Sequence, residues 1–267
     1  MTNVAALFRA SVRGLRRSVF WWSVGLGVLV AVTVAFWPAF RGSSGISEAI
    51  DQLPAGVIQA FGMEDFGTPA GFLRGNLYEL FVPLLLACAA VALVNGQTAG
   101  EESNGRLELF LAQPVDRRVV FLARAGAAIV GLAVIVAAIL VVQLAADAAI
   151  GLSIGTGPLV ATVILCGLLA VLHGSVAFAI AGARPRPSMV LGIGIGLAII
   201  GYVAAALFPL SSLLAPWRHI SPWDWAFGGD PLVHGAEPWR FVALVVPAAL
   251  AVGVGSHVVT RRDIAGA

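Results

Sequence analysis

Ser18 to Phe40 runs for 23 residues without a charged side chain. As an α-helix it covers about 34 Å, enough for the roughly 30 Å of hydrocarbon in a bilayer. Five comparable stretches follow, at about 77–98, 119–146, 159–181, 188–208 and 240–260. No polar stretch between them is long enough to build a core of its own. The chain therefore reads as one integral membrane domain over 1–267, all-α, with six transmembrane helices. Hydrophobic residues are 59% of the chain and charged ones 11%, against about 45–50% and about 25% in soluble domains. Trp21 and Trp22 at one end of the first stretch and Trp37 at the other match the aromatic belts of a membrane span.

All 16 basic residues are arginine. Without lysine the chain has neither a P-loop nor a Schiff-base lysine, so by itself it is no conventional ATPase. Cys88 and Cys166 both fall in apolar runs. A disulfide between them is not expected, because disulfides belong to oxidising aqueous compartments, and neither has zinc-type spacing with a histidine.

Residues 3–17 place Val4, Leu7, Phe8, Ser11 and Leu15 on one helical face and Arg9, Arg13, Arg16 and Arg17 on another. That is the pattern of a basic amphipathic helix lying in the membrane interface, attracted to anionic lipid headgroups. With both termini in the cytoplasm, twelve arginines fall inside (9, 13, 16, 17, 106, 117, 118, 124, 184, 186, 261 and 262) and four outside (41, 74, 218 and 240). The inverted topology reverses that ratio, so the positive-inside rule selects the first. The outer segments are then 41–76, leaning acidic, and 209–239, which holds four of the seven tryptophans. The second of these reads as short apolar helices broken by Pro and Gly, either re-entrant or lying among the headgroups. In the fifth span, Gly192 and Gly196 have the small-xxx-small spacing that lets helices approach, and Gly194 and Gly201 add to it.

The best-developed polar stretch is 100–124, GEESNGRLELFLAQPVDRRVVFLAR. Ser103 or Asn104 can cap a short helix, and Leu107, Phe110 and Leu111 form an apolar stripe at i, i+3, i+4. Pro114 stops that helix. Asp116 can cap the third span, which leaves Arg117 and Arg118 in its first turn; Glu101 and Glu102 sit at the foot of the second. Two readings fit. The stripe docks into a groove on a partner, with the surrounding charges setting partner choice, or the stretch is a solvated loop whose arginines only fix topology.

Here a resemblance enters. G-E-E-x-x-G-R-L-E-L-x-L-A-x-P-V-x-R-R after a second span resembles the signature loop of type-2 ATP-binding-cassette (ABC) permeases, the membrane subunits of bacterial exporters of the antibiotic and multidrug efflux group. The basic N-terminal helix, the six spans, LPAGVIQAFG followed by TPAGF, and Ser221-Pro222 followed by Gly229-Asp230-Pro231-Leu232 extend the likeness over most of the chain. Asp116 departs from it where serine is common, though both can cap a helix. The resemblance implies a non-catalytic subunit of the bacterial plasma membrane. It would pair with a second copy or a homologous permease and bind separate ABC ATPase subunits, which hold the ATP and Mg; this chain would bind no cofactor, metal or nucleic acid. It also implies that the helix at 104–112 is a coupling helix, with Glu101, Glu102, Gly105, Arg106, Glu108, Pro114 and Arg117 as motif residues. Leu107, Phe110, Leu111 and Arg118 join that coupling set.

Inside the spans polar groups are sparse. His173 is the one ionisable residue deep in a span, and such residues are functional candidates by default; the plainer reading is a neutral ring bonded across helices. Glu79 at the outer mouth of the second span is a candidate gate residue. The lack of charge suits an amphipathic or hydrophobic cargo, an antibiotic, drug or lipid-like molecule. The alternative is an ion-coupled carrier or channel acting without an ATPase, which calls for buried carboxylates or an inverted repeat. An intramembrane enzyme finds neither G-x-S-x-G nor H-E-x-x-H in the sequence.

Overall fold

The computed structural model describes residues 4–41, 44–63, 65–103 and 117–261. Among these residues the chain is helical with no strand, and six helices are long and apolar enough to cross a membrane. They are α1 (Val4–Phe40), α2 (Pro69–Ser103), α3 (Arg117–Ile150), α4 (Thr156–Ala183), α5 (Pro187–Leu210) and α6 (Pro238–Arg261).

The expected interfacial helix at 3–17 and the first span at 18–40 are one continuous helix over Val4–Phe40. No proline lies between Arg17 and Phe36, and Gly14 packs toward Gln97 Nε2 instead of breaking the helix. At about 1.5 Å per residue α1 is about 55 Å long, more than a bilayer with its headgroups. Leu15, Leu26, Val30, Val34 and Trp37 form its buried seam. That seam lies chiefly along α3.

The second helix is not regular. Thr68 caps its start by accepting from Gly71 N at 3.1 Å, with Pro69 at the first turn. Arg74–Tyr78 is a π-helical turn. The helix then breaks at Leu80 (φ −131, ψ −58) and restarts as Phe81–Gln97. Pro83 explains the break, because its ring excludes the carbonyl four residues back, that of Glu79.

Helix α4 is the hub. It packs against α2, α3, α5 and α6, and its small residues let those neighbours close in. A Cβ on Gly182 would lie 2.7 Å from Gly255 O of α6, and one on Gly255 would lie 2.9 Å from Ala179 Cα. The sequence pointed to Gly192 and Gly196 as a close-contact face of α5. A Cβ at either meets nothing within 4 Å, whereas Gly194 packs against Val91 and Gly201 against Trp223. Four glycines share that helix, and only the direction of the neighbouring helices selects which two are covered.

Between α2 and α3, buried Tyr78 donates to Gln143 Oε1 at 3.0 Å, and Gln143 Nε2 has no partner among the described residues. Tyr78→Phe leaves the amide oxygen unpaired as well, so the thermal unfolding midpoint in detergent will fall by the equivalent of about 1–2 kcal/mol. Tyr78→Phe combined with Gln143→Leu will recover most of that loss, since removing both partners removes the unsatisfied groups.

The tryptophan-rich segment resolves into short 3₁₀ turns and a helix at Pro222–Phe227. That helix packs inward against its neighbours. It wedges between α4, α5 and α6 and buries Trp223 and Ala226 against Leu169, Ala198, Leu244 and Ala248. Ala198 lies about 14 Å in from Leu207, and Leu244 about 9 Å in from Pro238. Backbone at such depth must be satisfied by protein. Ser221 Oγ accepts from Trp223 N at 3.1 Å and donates to Gly201 O at 2.6 Å. Buried Arg240 donates to the carbonyls of Asp224 and Trp225 at 3.2 and 3.1 Å, capping the wedge from α6.

Candidate functional site

Where α2 ends and α3 begins, a clamp of charged and polar groups joins the two helices. Arg124 lies two turns into α3, and an arginine surrounded by apolar residues must find a partner. It finds partners on α2. Nη2 meets Glu101 Oε2 at 2.5 Å and Nη1 donates to Gln97 O at 2.8 Å. The arginine side chain is 4% exposed and the glutamate 23%. Gln97 extends the clamp to α1 by donating from Nε2 to Ser11 O at 3.3 Å. Leu7, Ala10, Ser11, Gln97, Glu101 and Arg124 border a small cleft of about 70 Å³ there. Three helices are thus joined at the end where α2 stops and α3 starts.

Of the sequence-derived coupling residues, Glu101 and Glu102 close α2, half-buried, and Arg117 and Arg118 open α3 on its exposed face. Gly105, Arg106, Leu107, Glu108, Phe110, Leu111 and Pro114 lie outside the described residues, as do the capping candidates Asn104 and Asp116. Arg124 and Gln97 were not singled out from the sequence as site residues. The signal was there: Arg124 is flanked by Val119–Ala123 and Ala125–Ala128, where an unpaired cation is costly. Its partner, 23 positions earlier, became identifiable only once α2 and α3 lay side by side.

Glu79 and His173 lie in different places. Glu79 packs under the Gly62 turn; Gly62 is left-handed (φ +61), and a Cβ on it would lie 2.7 Å from Glu79 Oε2. Beside it, Arg74 donates to Gly62 O at 3.1 Å and pairs with Asp230 at 2.6 Å, tying the first long connection to the last. His173, 4% exposed, is in α4 with its ring edge-on to Trp223, centroids 5.6 Å apart. Its Nδ1 lies 2.8 Å from Leu169 O. A carbonyl only accepts, so Nδ1 carries a proton. The ring bonds within its own helix, not across helices. Among the described residues no group of three or more His, Cys, Asp or Glu side chains is arranged to hold a metal ion.

The architecture is that of a multi-pass membrane protein. Comparison with known families places it within that class: residues 7–258 match the model for "Multidrug efflux system permease Rv1217c, C-terminal domain", and the chain belongs to that family. No curated protein matches it. Its role is membrane transport, as a permease of the multidrug efflux kind.

Proposed function

We propose that this chain is the membrane-spanning permease subunit of an ATP-driven ABC exporter, coupled to separate ATPase subunits through residues 101–118. The observation that carries the reading is the Arg124 clamp. A partner pressing on residues 101–118 displaces two helices that are ion-paired at 2.5 Å, with a third bonded to them at 3.3 Å. A push there moves α1, α2 and α3 together instead of bending a loose loop. The arginine distribution supports an orientation with this end in the cytoplasm, together with both termini; the bacterial plasma membrane is the setting that the family resemblance implies. ATP and Mg belong to the ATPase, and the permease chain holds no cofactor. The matching family is named for a C-terminal domain. That is in keeping with a transporter that has a further permease part, and a second copy or a homologous permease is the partner proposed for it. The cargo is amphipathic or hydrophobic, in keeping with six spans that carry few charges and, among the described residues, no fully buried Asp or Glu.

The coupling role is tested by Glu102→Ala with Leu109→Asp, which removes a motif carboxylate and sets a charge beside the apolar stripe. The co-expressed ATPase subunit is expected to be lost on purification and drug export to stop, while the permease still inserts and keeps its thermal midpoint. Retained ATPase with undiminished export sinks the coupling assignment. Topology is read separately: Glu108→Cys, in a background without Cys88 and Cys166, will react with an impermeant maleimide only after the membrane is permeabilised.

A further inference from the structure

We propose that the cavity framed by α4, α5, α6 and the Pro222–Phe227 wedge binds a lipophilic small molecule carrying a hydrogen-bond donor, admitted sideways from the bilayer. The proposal rests on the transport reading and adds to it one place on the chain and one chemical requirement on the cargo.

The cavity holds about 500 Å³, within the range of about 300–1,000 Å³ typical of drug-sized ligands. Its walls are almost wholly apolar, from Leu172 and Val176 of α4 through Ile200 and Ala204 of α5 to Trp217 and Trp225. Its polar side-chain groups are those of His173 and Ser221 and the indole N–H donors of Trp217 and Trp225, the latter given to His219 O; the hydrogen-bond acceptors among them are His173 and Ser221. The Ser221 hydroxyl is committed to Gly201 O and Trp223 N. His173 is committed on one side only. With Nδ1–H given to Leu169 O, Nε2 of the neutral ring is an acceptor, and it has no partner among the described residues. Trp223, edge-on at 69°, holds the imidazole plane. An acceptor left unpaired in an apolar, mostly buried position is destabilising, and a donor on a bound molecule relieves it.

The entrance follows from the rim. Ile200 is 64% exposed, Ile220 63% and Trp217 57%. Side chains of this kind on a membrane helix and its flanking turns face lipid, so a guest arrives from the hydrocarbon. An unfunctionalised acyl chain fills the volume but offers Nε2 no proton. An ion is unsuited, because no charged side chain lines the cavity. The indole walls favour a flat aromatic body.

The test uses the whole purified chain in phosphatidylcholine nanodiscs and two photoreactive probes of the same shape, 4-hydroxybenzophenone and 4-methoxybenzophenone. Only the first has a donor. On irradiation, adducts mapped by mass spectrometry are expected to concentrate in peptides covering 197–225. At equal bilayer concentration the hydroxyl probe should exceed the methoxy probe there by about fivefold, the range one hydrogen bond supplies. His173→Phe should bring the two probes level. Ala204→Phe, which fills the cavity and leaves His173 in place, should remove the focus for both, with the thermal midpoint confirming that it folds. His173→Gln, which restores an acceptor, should retain the preference if the phenylalanine variant does not fold. Equal labelling by the two probes in the parent chain, or a focus undiminished by Ala204→Phe, overturns the proposal. The measurement contains no ATPase and no transport step. Failure here therefore leaves the permease assignment standing, and failure of ATPase coupling leaves this result standing.

Discussion

Arg124→Met will lower the stability of the protein by about 3–5 kcal/mol, the range measured when one partner of a buried ion pair is removed. The lost attraction is the smaller part of that. Most of it comes from what stays behind: Glu101, largely withdrawn from solvent, keeps its charge without a counter-ion, and Gln97 O loses its donor. The methionine fills similar space, so the effect does not come from a cavity. Two companions separate charge from shape. Arg124→Met with Glu101→Gln removes both charges, and at least half of the loss will return. Arg124→Lys keeps the charge but not the fork that reaches Glu101 and Gln97 O at once, and will fall between parent and Met variant. Thermal unfolding in detergent reads all three. If the chain couples to an ATPase as proposed, the Lys variant will lose more of its export in a transport assay than of its stability. The clamp's geometry joins the helices, and a single-pronged ammonium holds them in looser register.

Gly255→Ala will cost about 2–3 kcal/mol, whereas Gly253→Ala, the same change two residues earlier on the same helix, will fall within about 0.5 kcal/mol of the parent. At Gly255 the new methyl meets the backbone of Ala179 at 2.9 Å and the ring of Phe178 at 2.9 Å. Backbone cannot rotate aside, so α4 and α6 must separate. The separation also undoes the reciprocal contact at Gly182, whose own Cβ would meet Gly255 O. At Gly253 a Cβ meets nothing within 4 Å. Since alanine is the better helix former, a generic response to glycine loss would move both variants the same way. A gap between the two midpoints isolates the helix crossing. Equal midpoints would show that α4 and α6 do not touch as described.

The two predictions also mark the limit of what could be read from the residues. Arg124 and Gly255 are ordinary in sequence: one arginine among sixteen, one glycine among 31. The patterns in a chain record period and run length, and these are local. Hence six spans, their approximate ends and their arginine bias were legible, as was the punctuation of the tryptophan-rich segment. Gly192 and Gly196 drew attention through correct spacing, yet spacing states only that a small-residue face exists, not which helix lies against it. The irregular course of α2 was half legible, since Pro83 is visible but the π turn before it is not. His173 stood out because an ionisable residue inside an apolar run is rare. That its ring bonds Leu169, meets Trp223 and borders a cavity depended on a wedge arriving from 50 residues later.

By itself the sequence determined the solvent of this protein: uninterrupted apolar length permits no fold but helices across a bilayer, because backbone groups in hydrocarbon must pair within the same segment. Charge placement then favoured one orientation. The tertiary structure alone decided which helix is the hub, which glycines are covered, which carboxylate answers Arg124 and where an apolar wall encloses a volume. Those outcomes depend on contacts between segments far apart in the chain. In lipid every helix surface is about equally apolar, so hydrophobicity cannot rank the candidate pairings, and the choice falls to close packing and the few polar groups that must find one another.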